Sequence, residues 1–216
     1  MTYYNKTPKS RIHRHPERGV YDREQVWAIL DAGIVAHVGL AEEGGPKVLP
    51  MIYARDGDTL YLHGARANHF LKAGSAGVPL CVTVTLVDGL VLAGSAFSHS
   101  VNYRCVVVYG RARLLTSAKE KAAVLDRVVD RMVPGRVGEL RPTTTKELGA
   151  TAVLALDIEE ASAKVRSGPP GETEEDDGVW TGVLPLTLVP GTPVPAGPAP
   201  GAVPVPASVS GWGRPG

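Results

Sequence analysis

The sequence predicts a mainly β (α+β) fold, a closed or nearly closed antiparallel barrel with flanking helices. Three observations support this prediction: six or seven short runs of β-branched or alternating residues, turn signals between most of these runs, and only two strong helical patterns. Closing the barrel would remove the exposed edges that an open sheet presents. The length of 216 residues favours one domain that carries a tail.

The first predicted element is a helix, followed by an antiparallel meander. Asp22 and Gln25 form a capping pair, apolar residues follow at helical spacing, and Gly33 supplies a stop signal. The Asp56-Gly57 step is a strong hairpin signal between two strands. The strands predicted here cover residues 34–40, 48–54 and 59–63.

The second half of the barrel is predicted from longer apolar runs. Residues 78–86 alternate as a half-buried strand does, and Asp88-Gly89 is interpreted as a turn that leads into a further strand at 90–93. Residues 102–115 and 150–165 are each interpreted as one long strand. Between them, Ser117 and Glu120 begin a second amphipathic helix.

The ends of the chain differ in composition from its centre. We divide the chain into a basic N-terminal arm at 1–20, a barrel domain at 21–189 and a Pro/Gly-rich flexible tail at 190–216. The tail holds eight Pro and six Gly, too little apolar surface to offset the entropy of ordering it. Residues 172–177 contain five acids, which we interpret as a solvated loop.

Composition excludes several classes of protein. No apolar run approaches the roughly 18 residues that span a bilayer, and the basic residues at the start lack the apolar core of a secretory signal, so a cytoplasmic protein is expected. A net charge of +1 argues against a nucleic-acid partner. Cys81 and Cys105 form no C-x-x-C pair, so two free thiols and no cysteine-based metal site are expected.

The first candidate site segment covers residues 63–72, at the end of a predicted strand. Asn68 can cap a short helix whose free N–H groups suit an anionic phosphate, with basic side chains nearby. An ordinary capped turn fits the same spacing. The candidate residues here are His63, Gly64, Ala65, Arg66, Asn68, His69 and Lys72.

The second candidate segment leads into the strand at 102–115 and places polar groups at a barrel rim. Its candidate residues are Ser98, His99, Asn102, Tyr103 and Arg104. Arg104 is unusual, because an arginine within a run of valines must find an anion or reach solvent.

Other sites are poorly supported. His13 and His15 lack a carboxylate or thiol companion and flank Arg14, so no metal site is expected. The sequence contains no G-x-S-x-G elbow, no P-loop and no G-x-G-x-x-G. Catalysis by a side-chain nucleophile therefore has no candidate motif.

Several motifs together resemble the flavin-nucleotide-binding branch of the pyridoxamine 5′-phosphate oxidase-like family, to which the nitroimidazole-resistance proteins are related. The resemblance covers roughly residues 11–189, and its parts occur in the family's order. The motifs that carry it are residues 60–65, Asn68-His69, residues 88–93, residues 97–110, Ser167-Gly168-Pro169-Pro170 and residues 179–186.

The resemblance implies a split β-barrel, a homodimer and FMN bound in a groove that both subunits share. Carried over by position, His63, Gly64 and Ala65 would border the flavin, and Asn68 and His69 would hold its phosphate. The groove would also be lined by Asn102, Tyr103 and Arg104. Relatives commonly have Ser-Arg at Asn68-His69, so Arg66, Lys72 or Arg104 would have to compensate for a missing guanidinium.

Two classes of function follow from this resemblance. The first is an FMN-dependent oxidoreductase of an unidentified small molecule, with His63 and His99 as candidate catalytic residues. The alternatives are a non-catalytic protein that binds a flavin, haem or a small acid, and a deazaflavin-dependent reductase. An authentic pyridoxamine 5′-phosphate oxidase is not expected, because no Arg-x-His occurs after Lys164.

Overall fold

The computed structural model describes residues 2–171, 178–197 and 203–213, so the acidic run at 172–177 lies outside the described residues. The helices of the described chain are Arg23–Ala32 (α1), His69–Ser75 (α2), Ala118–Met132 (α3), Thr145–Ala150 (α4) and Ala207–Ser210 (α5). The strands are Gly19–Val20 (β1), Val35–Glu42 (β2), Gly45–Asp56 (β3), Thr59–Ala65 (β4), Pro79–Leu92 (β5), Ser100–Leu114 (β6), Thr151–Asp157 (β7), Glu160–Arg166 (β8) and Gly182–Pro185 (β9).

The sheet closes on itself. Antiparallel pairing runs from β6 through β7, β4, β3, β2 and β5 and returns to β6. The ladder splits along β6, whose residues 103–109 pair with β8 while residues 112–114 pair with β7. β8 and β1 extend the sheet beyond β6, and β9 extends it beyond β5. The predicted mainly β, split antiparallel barrel with flanking helices is confirmed.

Alternation along the strands fills the barrel with aliphatic side chains. Inward residues of β4, β5 and β6 are fully buried, among them Leu60, Leu62, Val82, Val84, Val106 and Val108. A second apolar cluster lies between the outer face of the barrel and α3, where Val124 and Val128 pack with Ala54, Val153 and Ala155. The core therefore has two layers.

The helix starts follow the predicted caps. Asp22 accepts a hydrogen bond from the Gln25 amide at 3.1 Å, and Asn68 accepts one from the Phe70 amide at 2.9 Å. The Ser117 hydroxyl accepts from the Glu120 amide at 3.3 Å. None of the helices in the described ranges is long and apolar enough to span a membrane.

The turn predicted at Asp88-Gly89 is wrong. β5 continues through these residues to Leu92, and its register against β6 shifts between Val87 and Gly89. The Asp-Gly pair therefore forms a β-bulge, which absorbs one extra residue without reversing the chain.

The single strand predicted at 150–165 is also wrong. The chain turns at residues 158–159, where the Ile158 amide donates to the Asp58 carbonyl at 2.7 Å and the Glu159 amide to the Tyr109 carbonyl at 3.2 Å. β7 thereby pairs with β4, and β8 pairs with β6 and β1. The apolar pattern continues through this turn, so periodicity alone gave no sign of it.

Both ends of the described chain contact the barrel domain. Near the start, Tyr4 is 3% exposed and belongs to the main core cluster. Near the end, the Ser208 hydroxyl donates to Glu139 at 2.9 Å. Tail residues also border an open apolar pocket of about 340 Å³ at the end of α3, lined by Ile34, Met132, Val133, Pro190, Gly191, Pro193, Val209 and Trp212.

Candidate functional site

The two candidate segments lie at opposite ends of the barrel. At one end, Ala65 of β4 pairs with Thr151 of β7, and Leu154 of β7 pairs with Leu114 at the end of β6. At the other end, Asn102 lies near the start of β6. Residues 104 and 114 are separated by about 33 Å of strand at roughly 3.3 Å per residue. A single chain therefore does not bring the two segments together. We call residues 63–72 the β4 rim. We call residues 97–104, together with the adjoining ends of β5 and β8 and the segment around β9, the hairpin rim.

His63 is a partly buried polar residue of the β4 rim. It lies opposite Val153 of β7 and is half-buried, on the other face of β4 from the fully buried Leu62. Its Nδ1 is buried and has no hydrogen-bond partner in the described chain. Burial lowers the pKa of His63, because desolvation disfavours the imidazolium. The side chain is therefore a neutral imidazole near pH 7.

The remainder of the β4 rim is exposed and mixed in charge. The Asn68 side-chain oxygen is committed to the Phe70 amide as the α2 cap. His69 Nδ1 lies 3.6 Å from a carboxylate oxygen of Glu42, at the end of β2. Arg66 and Lys72 are both exposed. Within the described ranges, neither the Arg66 nor the Lys72 side chain has a hydrogen-bond or ion-pair partner.

The hairpin rim begins in a short helical turn, Ala96–Ser98, between β5 and β6. Ser98 is partly exposed, and His99 Nδ1 contacts the Ser95 carbonyl oxygen at 2.8 Å. Asn102 is only 8% exposed, and its Nδ2 donates to the Gly168 carbonyl at 3.1 Å. Tyr103 follows on the opposite face of β6 and is partly exposed.

Arg104 finds an anion within the same chain. Its Nε and Nη2 donate to the two carboxylate oxygens of Asp88 at 3.0 and 2.8 Å. This bidentate contact raises the pKa of Arg104, because the hydrogen bonds to Asp88 favour the charged form. The carboxylate comes from the β5 bulge. The positive charge of Arg104 is therefore already neutralised.

Sequence reasoning missed Arg166, the last residue of β8. Its guanidinium contacts the Asn102 side-chain oxygen and lies 3.4 Å from the Gly168 carbonyl and 3.2 Å from the Pro169 carbonyl. Gly168 has φ +98°, a left-handed conformation that glycine adopts without strain. The signal that could have found Arg166 was its place directly before Ser167-Gly168-Pro169, a motif of the family resemblance.

The hairpin rim also exposes a row of apolar side chains. Leu184 of β9, Leu90 of β5 and Val101 of β6 are in register across three strands, with exposures of 51%, 38% and 36%. Phe97 is 96% exposed and Trp180 is 67% exposed. Side chains of this size in such a row are typical of a surface that another molecule covers.

Metal and thiol chemistry add little to these rims. No group of three or more His, Cys, Asp or Glu residues suited to a metal ion occurs within the described ranges. Cys81 and Cys105 are free, as predicted, and burial raises the pKa of both thiols. Neither is therefore an activated thiolate.

Comparison with known proteins places these rims in context. Residues 22–165 match the family model described as pyridoxamine 5′-phosphate oxidase. Among curated proteins, none matches this chain.

Two solved structures are similar over nearly their whole length. The flavocytochrome Anf3 from Azotobacter vinelandii is 40% identical over 97% of this chain and 98% of its own, with a TM-score of 0.89. The FAD and haem binding protein from Mycobacterium smegmatis is 38% identical over 90% of this chain and 96% of its own, with a TM-score of 0.85. A 5-nitroimidazole antibiotic resistance protein from Bacteroides thetaiotaomicron shares the fold at 20% identity over 68% of this chain and 86% of its own, with a TM-score of 0.57.

Proposed function

Because the chain belongs to the pyridoxamine 5′-phosphate oxidase family, we propose that it is a flavin-nucleotide-binding oxidoreductase acting on a small molecule. The observation that carries this proposal is the similarity, over almost the entire chain, to a protein described as a flavocytochrome and to one described as binding FAD and haem. The flavin ring supplies the redox chemistry in such proteins. The lack of a side-chain nucleophile motif is consistent with that division of labour.

The residues of the two rims fit a flavin nucleotide. The β4 rim offers a neutral imidazole at His63, followed by Gly64 and the exposed Ala65 at the end of the strand. The exposed side chains of Arg66, His69 and Lys72 offer N–H donors that suit a phosphate. We propose that the hairpin rim completes the groove with Ser98, His99, Asn102, Tyr103 and Arg104.

We further propose that the groove forms between two copies of the chain. The rims lie at opposite ends of β6, so one flavin can contact both only if each rim comes from a different subunit. The row of Leu90, Val101 and Leu184 gives a second copy an apolar surface to cover. Light scattering of the purified protein at micromolar concentration should give the mass of a dimer, and the mass of a monomer would contradict this proposal.

The identity of the flavin is a finer part of the proposal. The sequence resemblance implies FMN, whereas one similar structure is described as binding FAD. FMN and FAD both carry the phosphate that the exposed side chains of the β4 rim suit. Chromatography of the cofactor released from the purified protein distinguishes them.

The absorption spectrum of freshly purified protein tests the flavin proposal directly. We expect bands at about 370 and 450 nm from bound isoalloxazine, and bleaching of the second band when an electron donor is added. A colourless protein that binds neither added FMN nor added FAD in a titration would contradict flavin binding. If the protein binds flavin but no electron donor reduces it, the result would support a non-catalytic binding protein and contradict the oxidoreductase.

Haem is a second candidate ligand, because both similar proteins are described in terms that include a cytochrome or haem. In this chain His63 offers an imidazole kept neutral by burial, the form that ligates iron. A Soret band that is shifted or lost in His63→Ala would support this candidate. Addition of haemin without any Soret shift would exclude it.

A further inference from the structure

The guanidinium of Arg166 ties together three parts of the hairpin rim. Its Nη1 reaches the Asn102 side-chain oxygen and the Gly168 carbonyl, and its Nη2 reaches the Pro169 carbonyl. Asn102, itself nearly buried, donates back to the same Gly168 carbonyl. Nη1 and Nη2 therefore hold the guanidinium against the turn that follows β8.

These contacts do not use all the N–H donors of Arg166. An arginine side chain has five N–H donors. Nη1 contacts two of the three oxygens and Nη2 contacts one, which leaves the Nε–H and one Nη2–H without a partner among the described residues. In Arg104 the same two atoms, Nε and Nη2, donate hydrogen bonds to the Asp88 carboxylate. Arg166 thus retains N–H donors on Nε and Nη2, the pair of atoms with which an arginine binds an oxyanion.

The charge of Arg166 is also uncompensated among the described residues. Its three partners are amide or carbonyl oxygens and carry no net charge. The charge of Arg104, by contrast, is neutralised by Asp88. An arginine anchored by neutral groups gains more from an incoming anion than one that already holds a carboxylate.

We infer that Arg166 binds the phosphate of the flavin nucleotide through its Nε and Nη2 atoms. The inference rests on the proposed function, since it adds Arg166 to the β4-rim side chains that suit the anionic part of the cofactor. Asn102 acts here as a positioning residue, because it holds the guanidinium and the Gly168 turn in one arrangement. Phosphate is the shared feature of FMN and FAD, and riboflavin lacks it.

The test compares flavins with and without the phosphate. Cofactor-free full-length protein is titrated with FMN, FAD and riboflavin, and the quenching of flavin fluorescence gives each dissociation constant. The wild type is expected to prefer FMN and FAD to riboflavin. Arg166→Gln should weaken FMN and FAD by about ten- to a hundredfold, the range for a lost charge-assisted contact, while riboflavin affinity changes far less.

Two further variants keep the result interpretable. Arg166→Lys keeps the charge but not the fork, so its preference for FMN should lie between those of the wild type and Arg166→Gln. If Arg166→Gln does not fold, the lysine variant alone decides, and an undiminished preference for FMN contradicts the inference. The control is Arg127→Gln, which removes an exposed arginine of α3 that pairs with Asp56 at 2.9 Å. Its affinities for all three flavins should match those of the wild type.

The outcomes separate this inference from the function on which it rests. A wild type that binds none of the three flavins overturns the proposed function. A wild type that binds FMN and riboflavin equally, or Arg166 variants that keep the full preference for FMN, overturn the role of Arg166 and leave flavin binding in place.

Discussion

The indole Nε1–H of Trp212 donates to the carbonyl oxygen of Met132 at 2.6 Å. This hydrogen bond joins residues 80 positions apart and fastens the C-terminal segment to the last turn of α3. Pro193 and Val209 line the same apolar pocket. A segment that composition alone describes as a solvated tail therefore contributes a packed contact.

Trp212→Ala should lower the melting temperature by about 2–8 °C, because a lost hydrogen bond and partial apolar exposure cost roughly 1–2 kcal/mol in a chain of this size. Flavin affinity should not change, since both rims lie outside the tail. Calorimetry and flavin titration check the two halves of this prediction. Val194→Ala, at a 90% exposed valine of the same segment, serves as the control and should melt with the wild type.

Substitution of Arg131 by alanine should lower the stability of the protein more than substitution of an exposed arginine does. Arg131 donates to the Leu30 carbonyl at 2.6 Å and to the Asp31 carbonyl at 2.8 Å, and so satisfies the last turn of α1. Arg131→Ala would take this donor from the Asp31 carbonyl and leave the Leu30 carbonyl with the Tyr53 hydroxyl alone, and it should cost about 2–4 kcal/mol in urea unfolding. Arg127→Ala removes only an exposed ion pair with Asp56 and should cost about 1 kcal/mol or less. Equal losses would show that the α1 contact is unimportant.

Substitution by alanine should affect stability differently at two glycines, Gly110 and Gly149. A Cβ at Gly110 would lie 2.3 Å from the Asp157 carbonyl oxygen, where β6 passes the end of β7. Gly110→Ala must displace backbone and should destabilise by about 1–3 kcal/mol. Gly149 lies in α4 with nothing within 4 Å of an added Cβ, so Gly149→Ala should be neutral or stabilise by up to about 1 kcal/mol. Denaturant midpoints measured on both variants check the contrast.

The stability of the cofactor-free protein should depend on the titration of His63. Burial lowers the pKa of His63 in the folded state, while the unfolded chain keeps a value of about 6.5. The unfolded state therefore binds the proton more readily, and the contribution of neutral His63 is complete above about pH 6.5 and is lost as the pH falls below it. Urea unfolding between pH 5 and 8 should show this decline, and His63→Gln should flatten it. A slope that is identical in the variant would contradict the assignment.

The protein should not oxidise pyridoxamine 5′-phosphate at an ordinary enzymatic rate. The chain has no histidine after Lys164, so the Arg-x-His element that orients the anionic substrate of true oxidases is missing. An assay of pyridoxal 5′-phosphate formation with FMN and oxygen supplied should find little product. Turnover of about 1 s⁻¹ or more would contradict this expectation.

The success of the sequence-based predictions depended on how local each feature was. The caps at Asp22, Asn68 and Ser117 follow from residues within one turn, and all three were confirmed. The break between β7 and β8 depends on amide contacts with Asp58 and Tyr109, which are distant in the sequence. The bulge at Asp88-Gly89 likewise depends on pairing with β6, because the same dipeptide serves a hairpin turn elsewhere.

The candidate site shows the same division. The β4 rim and the hairpin rim could each be predicted as a polar stretch at the end of a strand. Their separation along β6 could not, because register is set by the whole sheet. The pairing of Arg104 with Asp88 could not be predicted either, because the bulge that supplies this carboxylate was predicted as a turn.

The placement of the two rims at opposite ends of β6 has a genetic consequence. If each flavin is held by the β4 rim of one subunit and the hairpin rim of the other, a chain altered at His69 and a chain altered at Arg166 carry defects in different halves of the site. Mixed dimers of these two chains would then contain one site with both defects and one with neither. Co-expression should restore up to half of the wild-type flavin content per mixed dimer, although each variant alone binds poorly.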